Sequence, residues 1–323
     1  MTTPARAVQL RHHADLVPAS SDDTLVTASV GPGGEAIALW STAEAERVLR
    51  ARTANNGFAT FPKPRPPRPV PARVTVHRPG SAVDVIEIAE LDVGHPMVQP
   101  LPDGRVLVVG SRCQWRPEGP DRNAVVYGDD GTCVARGTLG DGIGHLLTTP
   151  SGAIWVGYFD EGIYGNLGWG CGDAPAPIGS PGIVRFGADL EPDWRFPVGG
   201  AIPAPDDVYA MNVDDETVWS CYYNQFPIVR IDGEQITEWS NQARGNYVML
   251  VADDVCALIG GHYDAPEAVA GRLHAGAFSG GRTSQITMPA EVESARARLI
   301  SRGAELHVIA ERGWFKVGLE DFL

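Results

Sequence analysis

Four ring-bearing residues stand at comparable places in separate segments of the chain: His95, His145, Tyr209 and Tyr247. Imidazole titrates near neutral pH, and a phenol can donate a proton or stabilise an enolate. A His and a Tyr steered by a carboxylate therefore suffice for general acid–base catalysis. Asp207 and Asn246 stand beside the tyrosines, and Arg296 or Arg298 takes the corresponding place near the end of the chain. At the far end of the same hairpin, the places after His95 are followed by more polar groups: Tyr158, Asp160 and Glu161; Tyr222, Tyr223 and Asn224; His262, Tyr263 and Asp264; Glu311 and Arg312. Trp169 lies in a glycine-rich excursion, YFDEGIYGNLGWGCGDAPAPIGSPG, and is a candidate ligand contact. That excursion is too aromatic for disorder and reads as an ordered lid. Trp155 and Trp219 occupy equivalent strand positions, which fits packing between neighbouring sheets.

His95, His145 and His262, with Asp160 or Glu161, also offer the ligand types of a zinc, iron or manganese site. No HxH or HExxH spacing accompanies them. No cofactor is expected on this reading, and a divalent metal is the alternative. The four rings have an alternative too: buried His and Tyr can plug a channel and bond backbone groups.

These residues are brought together by a repeat. GHPMVQPLPDGRVLVVGSR, DVYAMNVDDETVWSCYY, GNYVMLVADDVCALIGGHY, ARARLISRGAELHVIAERG and DTLVTASVGPGGEAIALW are each a hairpin with a tight polar turn, and so is the segment from Asp141 to Phe159. Second hairpins follow, such as AVVYGDDGTCVARG and IVRIDGEQITEW. Four strands per unit, at spacings of roughly 40 to 70 residues, predict an all-β, six-bladed β-propeller of four-stranded antiparallel blades. The last unit supplies three strands, so AVQLRHH near the start completes it as an N-terminal strand joining the last blade, and no free edge remains there.

The predicted blades run about 20–91, with a helical and Pro-rich insertion at 41–71, then about 92–140, 141–200, 201–243, 244–290, and 291–323 plus 6–13, all in one propeller domain. Within the insertion, Ser41-Thr42-Ala43-Glu44 reads as a capping box before a short helix, and FPKPRPPRPVP as an extended polyproline spacer. Asp264-Ala265-Pro266-Glu267 reads as the start of one or two helical turns. In a four-stranded blade the start of the first strand shares a face with the loop joining strands two and three. That face collects the long loops SRCQWRPEGPDRN, YFDEGIYGNLGW, YYNQFP and GGHYDAPEAVAG. The other face has short Gly-rich turns.

Composition narrows the partners. A net charge of -14 and a pI near 5.0 repel nucleic acid and anionic membranes. The N-terminal stretch lacks a signal-peptide core and no apolar run reaches the roughly 18 residues of a spanning helix, so a cytoplasmic protein is expected. Five widely spaced cysteines without a CxxC pair fit reduced thiols.

The segments IWVGYFDEGIYGNLGW, PIGSPGIVRF and YAMNVDDETVWSCYYNQFPIVRI resemble those of a group of uncharacterised bacterial propeller proteins. The resemblance covers about the middle third of the chain and implies a fold without an activity. Pieces such as GAIWVG are similar to blades of virginiamycin B lyase-type and sensor-kinase propellers. Calcium-dependent six-bladed lactonases share the expected architecture, but here His and Tyr stand where their channel carboxylates would be. The leading expectation is a small-molecule enzyme, a lyase, isomerase or hydrolase, using His/Tyr acid–base chemistry at the channel mouth. A non-catalytic small-molecule binding protein and a scaffold holding a protein partner on the same face are the alternatives.

Overall fold

Runs such as Val106–Gly110 (VLVVG) and Ile154–Tyr158 (IWVGY) are buried at every position. Continuous apolar runs of this length form strands covered on both faces. They are second strands of four-stranded antiparallel sheets, and the computed structural model is a six-bladed β-propeller built from six such sheets. It describes residues 6–55, 59–262, 265–289, 292 and 297–323. The chain packs as two compact units, residues 17–200 and residues 201–323 with the segment ending at Leu16.

The 17–200 unit holds three blades. The first is Asp23–Val30, Ala36–Thr42, Val70–His77 and Asp84–Leu91; the second is Pro96–Pro100, Val106–Gly110, Ala124–Tyr127 and Cys133–Gly137; the third is Ile143–Thr148, Ile154–Tyr158, Ile183–Phe186 and Pro192–Arg195. First strands pack on first strands, and the apolar faces between blades form continuous cores around Ile37, Val74, Val98 and Val108, and around Leu107, Leu146, Val156 and Phe186. A buried polar tie runs across the three first strands. The Gln99 amide donates to Ser29 Oγ, while Gln99 Oε1 accepts from the Thr148 amide at 3.2 Å and its hydroxyl at 3.0 Å.

The other unit repeats this plan. Its blades are Asp207–Asp214, Thr217–Tyr223, Ile228–Asp232 and Gln235–Trp239; then Asn246–Ala252, Val255–His262, Ala265–His274 and Ala277–Thr287; then Arg298–Arg302, Glu305–Ala310 and Gly313–Gly318. Asn212, fully buried, donates to the carbonyls of Met249 and Gly303 at 2.8 Å each and accepts from the Gly303 amide at 2.9 Å. One side chain thus links all three blades of the unit.

The sixth blade gains its fourth strand from Arg11–Asp15, which pairs antiparallel with Gly313–Gly318. The expected span of 6–13 divides at Leu10: Arg6–Gln9 instead pairs parallel with Ala277–Thr287 and gives the fifth blade a fifth strand. Two apolar side chains, Val8 and Leu10, anchor this crossing in the core of blades five and six.

The insertion in the first blade contains the helix α1, Ala43–Leu49, but its N-cap is Thr42, whose hydroxyl accepts from the Ala45 amide. Ser41 belongs to the preceding strand and donates to the Pro71 carbonyl, so the expected capping box does not form. Part of the expected spacer is a hairpin, Arg52–Asn55 with Ala59–Pro62. The expected helical turns at Asp264–Glu267 are replaced by the strand Ala265–His274, in which register pairing to Val255–His262 supplies the backbone bonds; Asp264 itself lies outside the described residues. No helix among the described residues is long and apolar enough to cross a membrane.

Candidate functional site

Four of the six first strands share a feature that alternation alone does not reveal. Their pairing with the second strands slips between Leu25 and Thr27, Ile143 and His145, Val208 and Ala210, and Asn246 and Val248. Each slip is a β-bulge, which bends a strand and re-aims one side chain. The extra residues are Val26, Gly144, Tyr209 and Tyr247. Tyr209 and Tyr247 are therefore structural equivalents, and Gly144 takes that place in the third blade, one residue before His145. His95 precedes an unbulged strand and sits in the left-handed region at φ 48°.

In the 17–200 unit the centre of the rim is a buried guanidinium. Arg112 is 5 % exposed and meets Asp141, 3 % exposed, through Nε at 2.8 Å and Nη2 at 3.0 Å. Its Nη2 also lies 2.6 Å from Glu161 Oε2, and its guanidinium stacks 5.6 Å from the Phe159 ring. Asp141 accepts the Cys113 amide as well. Two carboxylates raise the Arg112 pKa against the opposing effect of burial. This cluster fastens the excursion after the third blade's second strand. There the chain forms a short helix α2, Asp160–Tyr164, with Asp160 accepting the Glu161 amide at 2.7 Å. Gly142 and Gly162 touch so closely that a Cβ on either would overlap the other's backbone.

Several candidates are absorbed by this fastening. Trp169 is 3 % exposed and donates its indole N–H to the Cys113 carbonyl at 2.8 Å. Tyr158 is fully buried, donates to the Leu139 carbonyl, and burial pushes its phenol well above the ordinary value. His95 bonds the Ala51 carbonyl through Nε2 at 2.9 Å. A carbonyl only accepts, so Nε2 carries the proton. Burial lowers the His95 pKa most, the bond to the Ala51 carbonyl opposes it, and Arg50, Arg52 and Arg112 lower it further. His145 is half-buried and Asp160 exposed.

In the other unit Tyr222 is fully buried, donates to the Pro203 carbonyl at 2.7 Å, and has its pKa raised by burial. Asn246 is buried and donates to the Ala243 carbonyl; Tyr247 is half-buried against the core of blades five and six. His262 is exposed at the end of its strand, and Asp207 pairs in register with Tyr223. Tyr263 and Arg296 lie outside the described residues.

One group does converge in the fourth blade. The Tyr209 and Tyr223 rings stack with centroids 6.4 Å apart, and Phe226 meets them edge-on at 5.5 and 5.7 Å. The guanidinium of Arg244 lies 4.6 Å over Phe226. Tyr223 is 47 % exposed. Gln225 and Phe226 both have positive φ, 62° and 58°, a costly conformation for a bulky ring. Local bonds hold it: Asn224 donates to Asp206 at 2.7 Å, and the Asp206 amide donates to the Tyr223 carbonyl at 2.7 Å. Phe226 and Arg244 were missed in the sequence. The available signal was YYNQFP itself, a turn without glycine that nonetheless reverses the chain.

Among the described residues no group of three or more His, Cys, Asp or Glu side chains is placed to hold a metal ion. All five cysteines are free thiols; Cys113, Cys221 and Cys256 are buried and their pKa values raised, Cys221 to about 12. Trp155 lies against Arg185 and meets Trp194 at a tilt of 58°, while Trp219 stacks on Trp239 beside Arg230 and packs in one core with Met249 and Leu258 of the fifth blade. A cavity of about 650 Å³ lies among short hairpin turns of blades one and two, lined by Arg78, Asp84, Asp103 and Asp129, and holds none of the candidates.

The YxzG family model matches residues 195–258, about a fifth of the chain and the stretch that carries the aromatic group. A search of curated proteins returns no match. Solved structures similar to this chain include Hsv2 of Kluyveromyces marxianus (11% identity, 89% of this chain and 73% of that one, TM-score 0.44). The WD40 domain of Toxoplasma gondii coronin is another (9%, 94% and 68%, 0.46). A third is described as a putative oxidoreductase (glucose dehydrogenase) of Thermus thermophilus (14%, 95% and 100%, 0.47). Likeness this distant carries nothing about activity.

Proposed function

We propose that this chain is a non-catalytic binding protein for a small ring-bearing molecule, which stacks on Tyr209, Tyr223 and Phe226 beside Arg244. The observation that carries the reading is the aromatic group itself, with Tyr223 exposed and Tyr209 and Phe226 half-buried beside it, presented from a backbone held in a conformation that costs energy. Strain of that kind persists where the surroundings over-determine it, and ligand clamps are one such place. Aromatic pairs contribute about 0.5–1.5 kcal/mol beyond area burial. Arg244 is exposed and, among the described residues, meets no carboxylate, so it can receive an anionic group on the ligand.

Acid–base catalysis is the weaker reading because His95, one of its four candidate rings, holds its proton on a carbonyl. Calorimetric titration with benzoate, indole-3-acetate and neutral benzamide tests the proposal. The acids should bind at least tenfold more tightly than the amide. Tyr223→Ala and Phe226→Ala should weaken all three, and Arg244→Gln should erase the preference for acids. Equal binding by wild type and both aromatic variants would sink the reading.

A further inference from the structure

A second concavity, separate from the aromatic group, lies in the 17–200 unit where the proline-rich insertion meets the second blade. It has a volume of about 200 Å³ and is lined by Pro64, Arg65, Asp92, Asp121, Arg122 and Arg136, with Val93 and Asn123 behind them. That is below the roughly 300–1,000 Å³ of pockets for drug-sized molecules, so its occupant is ion-sized.

Charge identifies the occupant. Asp121, 2 % exposed, is approached by Arg65 at 2.7 Å and by Arg116. Asp92 takes Nη1 of Arg136 on both oxygens at 2.9 Å, and Arg122 donates to the Arg136 carbonyl. Three guanidinium groups, of Arg65, Arg122 and Arg136, thus line the cleft with two carboxylates, a surplus of one positive charge in a chain of net charge -14, and Arg116 reaches Asp121 from outside the lining. Each guanidinium carries five N–H donors, and two carboxylates and a carbonyl leave many of them for another acceptor. Asn123 is already spent on the Gly110 and Gly140 carbonyls and the Leu139 amide, so it stiffens the wall and leaves recognition to the arginines.

We infer that this cleft is an oxyanion site for a phosphate group. Three arginines arriving from different segments suit a tetrahedral oxyanion, because each fork can take separate oxygens, whereas a planar carboxylate presents only two. Arg65 is the charged residue that the insertion contributes to the cleft lining, and its pairing with Asp121 pins the insertion to the second blade at this place.

Calorimetry with inorganic phosphate at constant ionic strength, against chloride, tests the inference on the full chain. Saturable one-to-one binding, weakened at least tenfold by Arg122→Gln and by Arg136→Gln but unchanged by Arg78→Gln, is the expected result. Flotation with vesicles of phosphatidylcholine, with and without phosphatidylinositol phosphate, separates the sources. Retention on the phosphorylated vesicles alone, with the same variant sensitivity, makes the phosphate a lipid headgroup. Binding to neither probe, unchanged binding in both variants, or an equal loss in Arg78→Gln overturns the site.

Discussion

Arg112 shows how much one residue can hold. Its guanidinium is inside the protein between Asp141 and Glu161, and a buried ion pair broken on one side leaves an uncompensated charge that costs about 3–5 kcal/mol. Arg112→Met should therefore lower stability by about that amount, read as a shift in the urea midpoint with an unchanged slope. Glu161→Gln, whose side chain is partly exposed, should cost under about 1 kcal/mol. If the two substitutions cost the same, the pairing with Asp141 is not what holds this rim. Little of this was legible in the sequence. Arg112 stood in a long polar loop, SRCQWRPEGPDRN, with two other arginines, and nothing local distinguishes the one that is buried. The rings were easier to find than to interpret. Tyr209 and Tyr223 do meet, but Tyr158 and Tyr222, which look alike in sequence, bury their hydroxyls on carbonyls because the second strands that carry them are covered on both faces.

The elements were more legible than the contacts between them. Alternation and turn chemistry predict the strands, since each hairpin carries its own signal in a few adjacent residues. Failures came where distant chain decides. Ala265–His274 forms a strand despite Pro266 because Val255–His262 offers it a full register, and Ser41 is drawn from the cap by the Pro71 carbonyl. The excursion after the third blade is the clearest case of an element set by tertiary contact. Its helix has only five residues, too short to persist alone, and it is fastened by Glu161, by the Trp169 indole and by the contact of Gly142 with Gly162. Gly142→Ala adds a Cβ where φ is 71° and the backbone of Gly162 is in contact. Amide exchange of residues 160–170 should then accelerate at least tenfold while the strands of the fourth to sixth blades stay protected. Uniform acceleration over the whole chain would mean that the excursion does not open as a local unit.

On the scale of the whole molecule, pH sets two trends against each other. With a net charge of -14 the folded chain repels itself, and protonation toward the pI of 5.0 relieves that repulsion as pH falls. His307 works in the opposite direction. It is fully buried in the sixth blade, its Nδ1 accepts the Trp314 indole N–H at 3.1 Å, and burial followed by the charge of Lys316 lowers its pKa from 6.5 to about 3. The folded state therefore refuses a proton that the unfolded chain accepts. The stabilising contribution of neutral His307 is complete above pH 6.5 and is lost progressively as pH falls from there toward 3, at up to ~1.4 kcal/mol per pH unit. His307→Asn keeps an acceptor for Trp314 and removes the titrating ring, while the charge-relief trend is common to both proteins. Urea midpoints at pH 7.0, 6.0 and 5.0 should fall more steeply for wild type than for the variant, and the gap between the two curves should narrow as the solution is acidified. Parallel curves would place the pH response in the carboxylates and remove His307 from it.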